Sequence, residues 1–293
     1  MASIHYCGLA KIPADGQQVR KSMIHLIVAL RSEAKPLIDH FNLKRNRKCT
    51  RLPVFEKDEL TLTISGIGKR AAAAATDASR SDQGTKSIEA WLNIGVAGHA
   101  EYAVGRGLLA HRVTDIQSKH NWYPQITFKP PCSTDDVCTV DNPNTTYRDP
   151  GVYDMEASGF YASAIRYSTA ELVHCYKVIS DNRKTPATRL SNKAVPGLIE
   201  KNLNTVNHII AQLQALETEL NKLSSNPKGF DAYLDRWHFT FCQRNILHNL
   251  LQRVEVLAPD YDPWCEGLED LTTSTEVLQF LQARIDTLPV NYD

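Results

Sequence analysis

Ile24-His25-Leu26-Ile27-Val28-Ala29-Leu30 is an almost unbroken apolar run with Lys21 before it and Arg31 after it. It has the length of a strand, and apolar side chains at both odd and even positions mean that both faces are covered. That pattern belongs to a parallel sheet sandwiched between helices. Upstream, residues 1–22 are polar, contain Pro13 and Gly16, and read as an N-terminal arm. Downstream, Glu33 to about Asn42 reads as a helix with Leu37, Ile38 and Phe41 on one face.

The alternation continues. Leu60 to Ile64 is a second strand, entering Ser65-Gly66-Ile67-Gly68 and then the alanine run Ala71–Ala75, a strong helix former. Trp91 to Ile94 and Gly107 to Val113 read as further strands, and residues 117–150 as loop with short strands. A helix is predicted from Tyr153 to Tyr167, a strand over 172–179, and a helix from about Pro196 to Leu223. The expected architecture is therefore α/β and three-layered: a mixed, mainly parallel twisted sheet flanked by helices, with a helical C-terminal extension. The predicted boundaries are an arm over 1–22, a catalytic domain over 23–225 and the extension over 226–293, with Ser224 to Gly229 as linker.

Composition narrows the ligand. The chain of 293 residues carries 33 basic and 33 acidic side chains, a balance that argues against nucleic acid as the main partner. No apolar run approaches the roughly 20 residues that span a bilayer, and the first 22 residues lack a secretory apolar core. The seven cysteines show no CxxC spacing and read as reduced thiols of a cytoplasmic protein. Neither a metal nor a cofactor is expected.

In sheets of this kind ligands bind beyond the carboxyl ends of the strands. The predicted strand exits carry Glu33, Ser65-Gly66, Asn93 to Gly95, Asp115 and Ser180-Asp181, so polar and glycine residues gather on one edge. Glu156 in Asp154-Met155-Glu156-Ala157 adds another acid near a helix start.

Five segments together resemble the purine nucleoside phosphorylase and uridine phosphorylase superfamily, most closely its 5'-methylthioadenosine/S-adenosylhomocysteine nucleosidase branch. They are ALRSEAKPL (29–37), SGIGKRAAAAAT (65–76), NIGVAGHA (93–100), VYDMEASGFYASA (152–164) and KVISDN (177–182), in that order. The resemblance implies hydrolysis of the N-glycosidic bond of a purine nucleoside, an adenine nucleoside with a 5'-thio or 5'-deoxy group foremost. It implies catalytic roles for Glu33, which accepts a proton from the attacking water, and Asp181, which supplies a proton or strong hydrogen bond to purine N7. Glu156 would bind the ribose hydroxyls, with Met155 as an apolar face beneath the sugar. Ser65, Gly66 and Gly68 match the loop that holds phosphate in phosphorylases and water in nucleosidases. Asn93 and Gly95 belong to the same strand-exit set, and Ser180 would orient Asp181.

Each residue also has a plainer reading. Glu33 and Glu156 are acidic residues near helix starts, which the helix dipole favours; Asp181 is a loop aspartate; a GxG is a tight turn. Lys177 stands where the branch usually has arginine, four residues before the purine aspartate. A lysine holds water or one phosphate oxygen but not a bidentate fork, so both nucleophiles stay open. Trp122, Tyr123 and Tyr147 are candidates to stack on the base, and Lys69 and Arg70 read as exposed.

Two alternatives accompany the hydrolase: a phosphate-dependent purine nucleoside phosphorylase, and a non-catalytic nucleoside-binding or partner-recruiting subunit. Family relatives imply a homo-oligomer, a dimer first. The extension holds Phe230, Tyr233, Leu234, Trp237, Phe241, Ile246, Leu247, Leu250, Leu251 and Val254 in helical stripes. These read first as core and otherwise as a partner contact.

Overall fold

The structure is a computed structural model that describes residues 23–80, 88–143, 151–187, 193–223, 226–258, 267–268 and 270–287. The predicted N-terminal arm thus lies outside the described residues. The chain divides into two compact units, Met1–Lys222 and Leu223–Asp293.

In the first unit, β1 (Ile24–Val28) lies between two parallel neighbours, β4 (Leu60–Ile64) and β5 (Ala90–His99). Beyond β4, β3 (Val54–Lys57) and β2 (Lys44–Arg45) extend the edge antiparallel. On its other side β5 pairs in parallel with β10 (Val173–Asp181). From there the sheet curls: β10 pairs with β6 (Gly107–Asp115), β6 with β8 (Ser133–Thr139), and β8 with β9 (Val152–Asp154). β9 then returns to β5, so these five strands close a ring, while β7 (Asn121–Trp122) hangs on β6.

The three-layer α/β expectation is borne out, and β1 shows why. Leu26 and Val28 enter one core with Leu37, Ile199, Val206 and Leu213. Ile27, between them, enters the opposite core with Ala72, Trp91, Phe160 and Cys175. Alternate side chains therefore serve two faces. The first face is covered by α1 (Arg31–Phe41), α4 (Val195–Glu200) and α5 (Leu203–Leu223), the second by α2 (Lys69–Ser79) and α3 (Ala157–Ala164).

Two predicted helices are corrected. The one expected from Tyr153 to Tyr167 begins at Ala157, because Val152–Asp154 is drawn into the ring by Val152↔Val137 and Tyr153↔Gly98 pairing. The one expected over 196–223 is broken after α4. There the buried Asn202 side chain donates to the Leu198 and Gly105 carbonyls and accepts from Tyr176 Oη at 2.7 Å. A side-chain amide that takes up backbone groups in this way competes with helix continuation.

α5 also anchors the head of β1. Glu217, 1% exposed, accepts the Met23 N–H at 3.1 Å and the Asn221 amide at 3.0 Å. Burial pushes its carboxyl up to about 7, with the charges of Glu59 and Glu89 adding to the effect. A folded-state pKa above the unfolded value means that this group's contribution to stability is complete below about 4.5 and lost as pH rises through about 7. Glu217→Gln is expected to flatten that slope and to raise the melting temperature relative to the unsubstituted chain more at pH 8 than at pH 5. Thermal melts at the two pH values check this.

The second unit has a core of its own. α6 (Phe230–Arg236), α7 (Phe241–Leu257) and α8 (Ser274–Thr287) bury Phe230, Tyr233, Trp237, Leu247, Leu251, Val277 and Leu281 against one another. α6 and α7 are separated where Thr240 caps α7, exchanging hydrogen bonds with Gln243 in a capping box. Of the expected stripe, Phe241 (79% exposed) and Ile246 lie outside this core. No helix among the described residues is long and apolar enough to cross a membrane.

Candidate active site

A cavity of about 200 Å³ opens where β1, β5 and β10 end and β9 passes into α3. Its walls include Glu33, Asp154, Met155, Glu156, Ser180 and Asp181. Acids that stand far apart in the chain therefore face one hollow. Ile67, Val96, Val140, Pro143 and Tyr153 add apolar wall.

Glu33 is the third residue of α1 and 2% exposed. Its Oε2 accepts the Ala29 and Leu30 N–H groups at 3.1 and 2.8 Å, and its Oε1 accepts Val96 N–H at 2.9 Å. The bond to Leu30 is the reach-back of a capping glutamate, so the plain reading of this residue is also realised. One carboxylate caps the helix, ties β1 to β5 and lines the cavity. Burial raises its pKa against the pull of these N–H groups and of Lys177.

Glu156 precedes the first residue of α3 and accepts the Gly68 N–H at 2.8 Å. Gly68 has φ of 102°, a backbone conformation that L side chains resist, so glycine is needed to aim this N–H. Burial, then the neighbouring Asp154 charge, pushes the Glu156 carboxyl up to about 7. Ser180 Oγ lies 2.6 Å from Asp181 Oδ1 and 3.2 Å from the Ala97 carbonyl, which fixes the rotamer at the end of β10.

The remaining candidates lie behind the cavity wall. Ser65 turns its hydroxyl onto the Gly66 and Val28 carbonyls, and the Gly66 N–H binds the Ala29 carbonyl. Asn93 donates to the Ile27 carbonyl and accepts from Lys177. Gly95 lies under Glu33: a Cβ placed there would meet Glu33 Oε1 at 3.1 Å and Lys177 Nζ at 3.6 Å.

Lys177 does not reach the cavity as a ligand for water or phosphate. It is fully buried, with Nζ 2.7 Å from Asp154 Oδ2 and 2.7 Å from Asn93 Oδ1. The cause is topological. β10 is covered on both faces, so the lysine is buried and finds the acid that β9 delivers, both strands pairing with β5. Lys69, expected to be exposed, is half-buried and bridges Asp115 at 3.1 Å and Asp141 at 3.0 Å.

Neither of the two described stacking candidates is in the cavity lining. Trp122 packs toward Tyr161 within the second core, and Tyr123 is 62% exposed; Tyr147 lies outside the described residues. Among the described residues the aromatic in the wall is Tyr153. Its neighbour Glu156 was the only sequence signal for it. Val140 and Pro143 come from a segment that reads as loop and carries no signal. Among the described residues no group of three or more His, Cys, Asp or Glu side chains is placed to hold a metal ion.

No known sequence family matches the chain, and no curated protein matches it by sequence. Solved structures do resemble it. The apo 5'-methylthioadenosine nucleosidase of Arabidopsis thaliana is 15% identical with a TM-score of 0.55, over 66% of this chain and 96% of that one. The Chlamydia trachomatis nucleosidase MTAN bound to MTA is 18% identical with a TM-score of 0.52, over 66% and 99%. The Helicobacter pylori 5'-methylthioadenosine/S-adenosylhomocysteine nucleosidase, bound to butyl-thio-DADMe-Immucillin-A, is 12% identical with a TM-score of 0.51, over 66% and 99%. At these identities the likeness is one of fold: over two thirds of its length the chain has the nucleoside phosphorylase-like fold of these nucleosidases.

Proposed function

We propose that the protein hydrolyses the N-glycosidic bond of an adenine nucleoside carrying a 5'-thio or 5'-deoxy group. The observation that carries the reading is the convergence of Glu33, Glu156 and Asp181 on one small cavity, with no lysine, arginine or histidine among the described residues of its lining. A water oxygen bonds to C1' of the sugar as its proton passes to the Glu33 carboxylate. The C1'–N9 bond breaks, its electron pair leaves with the purine, and N7 takes a proton from Asp181. Glu156 accepts hydrogen bonds from the ribose hydroxyls, and its charge favours the oxocarbenium-like sugar. Solvent returns the proton from Glu33 to Asp181, leaving free base and a sugar with a hydroxyl on C1'. The apolar wall of Leu30, Ile67, Val140 and Met155 supports an uncharged 5' group, and the MTA-bound structure of similar fold supports the substrate class.

Water is favoured over phosphate as nucleophile by the charge around the site. Lys69 is engaged by Asp115 and Asp141, and Lys177 by Asp154, so both lysines that a phosphorylase would use carry acid partners. A phosphate dianion beside the Glu33 and Glu156 carboxylates of the lining would be repelled. Purified protein is expected to release adenine from methylthioadenosine, S-adenosylhomocysteine or 5'-deoxyadenosine in phosphate-free buffer, followed by chromatography beside adenosine and inosine. Inertness toward all of them, with and without phosphate, overturns the proposal. Strict dependence on phosphate assigns the phosphorylase reaction instead.

A further inference from the structure

Lys177 takes no part in the steps above, yet it is a fully buried cation among the acids of the site. Its Nζ is held by Asp154 Oδ2 and Asn93 Oδ1, each at 2.7 Å. Asp154 is itself fully engaged: Thr139 Oγ1 donates to Oδ1 at 2.7 Å, while Ala157 N–H and Glu156 N–H donate to Oδ2 at 2.7 and 3.2 Å. As packing alone, a buried ion pair gains little over two apolar side chains of the same volume, because both ions lose their hydration. What a cation adds here is its action on two further carboxylates. Glu33 Oε1 and Lys177 Nζ both approach the Cα side of Gly95, and Glu156 is two residues from the lysine's own counter-ion.

We infer that Lys177, held by Asp154 and Asn93, is a positioning residue for the proposed hydrolysis. Through Asp154 it fixes the first turn of α3 and with it Glu156, and its charge favours the ionised forms of Glu33 and Glu156 without touching the substrate. The inference rests on the function proposed above. The groups facing Lys177 are Glu33 from α1, Asn93 and Gly95 from β5, Asp154 from β9, Glu156 at the start of α3 and Cys175 on its own strand. Burial pushes the Cys175 thiol up to about 12, so it stays neutral through the working range. The lysine lowers, and Asp154 raises, the pKa of Glu156.

The test is the pH dependence of kcat/KM in four variants. Lys177→Met is expected to move the acid limb up by about one unit or more, the usual size for loss of an adjacent opposite charge. Asp154→Asn is expected to move it down, the double variant to fall between the two, and Lys177→Arg to stay with the unsubstituted protein. A merely structural role would lower activity without moving the limb in opposite directions. Carboxyl 13C titration of glutamate-labelled protein reads the same shifts without turnover. An inert protein would therefore defeat the proposed function while still deciding the electrostatics. If Lys177→Met does not fold, Asp154→Asn measured against Lys177→Arg decides. Limbs and titrations that coincide in all variants, or move the same way for Lys177→Met and Asp154→Asn, overturn the inference.

Discussion

Glu33→Gln is expected to lower kcat by about 10²–10⁴, the range in which a positioned proton acceptor contributes, while nucleoside binding persists. The amide cannot take a proton from water, and it also fits poorly where the carboxylate sits. Glu33 accepts N–H groups on both oxygens, from Ala29 and Leu30 on one and Val96 on the other. Glutamine offers one acceptor and one donor end. With its oxygen toward Ala29 and Leu30, its NH2 group faces the Val96 N–H, donor against donor. Leaving that buried N–H unpaired costs about 1–3 kcal/mol, partly offset because a neutral amide escapes the burial penalty that raises the glutamate's pKa. Turnover must therefore be measured well below the melting temperature, with binding followed separately by calorimetry. A variant that melts lower but turns over at the original rate would remove Glu33 from the chemistry and leave it as a helix cap.

Local pattern disclosed those parts of the fold that local physics determines. Leu60–Ile64 is a strand in sequence and structure alike, because five residues between polar flanks allow little else. The run from Ile24 marks a strand covered on both faces because no polar face interrupts it. Asp154-Met155-Glu156 shows the limit. Its small-residue surroundings read as helix, but Val152–Asp154 pairs with β5 and β8, and a three-residue strand has no periodicity of its own. The ring that β9 closes is invisible for the same reason. So is the position of Lys177, whose partner lies 23 positions earlier and meets it only through the ring. Glu33, Glu156 and Asp181 stood out as acids at element ends, and the structure places all three on one cavity. The aromatic wall could not be read, since Trp122 and Tyr153 differ in which neighbours they pack against, not in their local sequence.

Gly159→Ala is expected to disrupt both stability and the site. Gly159 lies in α3 against the first turn of α2, where an added Cβ would stand 1.8 Å from the Lys69 carbonyl oxygen and 2.5 Å from its carbon. That neighbour is backbone and cannot rotate away. Relief requires the two helices to part by about 1.5 Å, given that C–H···O contacts settle at about 3.3–3.6 Å. Overpacking of this kind costs about 1–3 kcal/mol or more, against a helix-propensity gain of up to about 1 kcal/mol for alanine over glycine. The functional loss should be larger than the net destabilisation implies. Gly68, immediately before Lys69, donates the 2.8 Å bond to Glu156, immediately before α3, so separating the helices breaks the contact that aims the carboxylate proposed to bind the ribose. A misplacement of about 1 Å can cost 10²-fold in rate. Gly197→Ala in α4, where an added Cβ meets nothing within 4 Å, is the control, expected to be neutral or slightly stabilising. Melting curves and kcat/KM for the two variants decide: if Gly159→Ala melts as high as Gly197→Ala and keeps its activity, the close approach of α2 and α3 does not hold Glu156 in place.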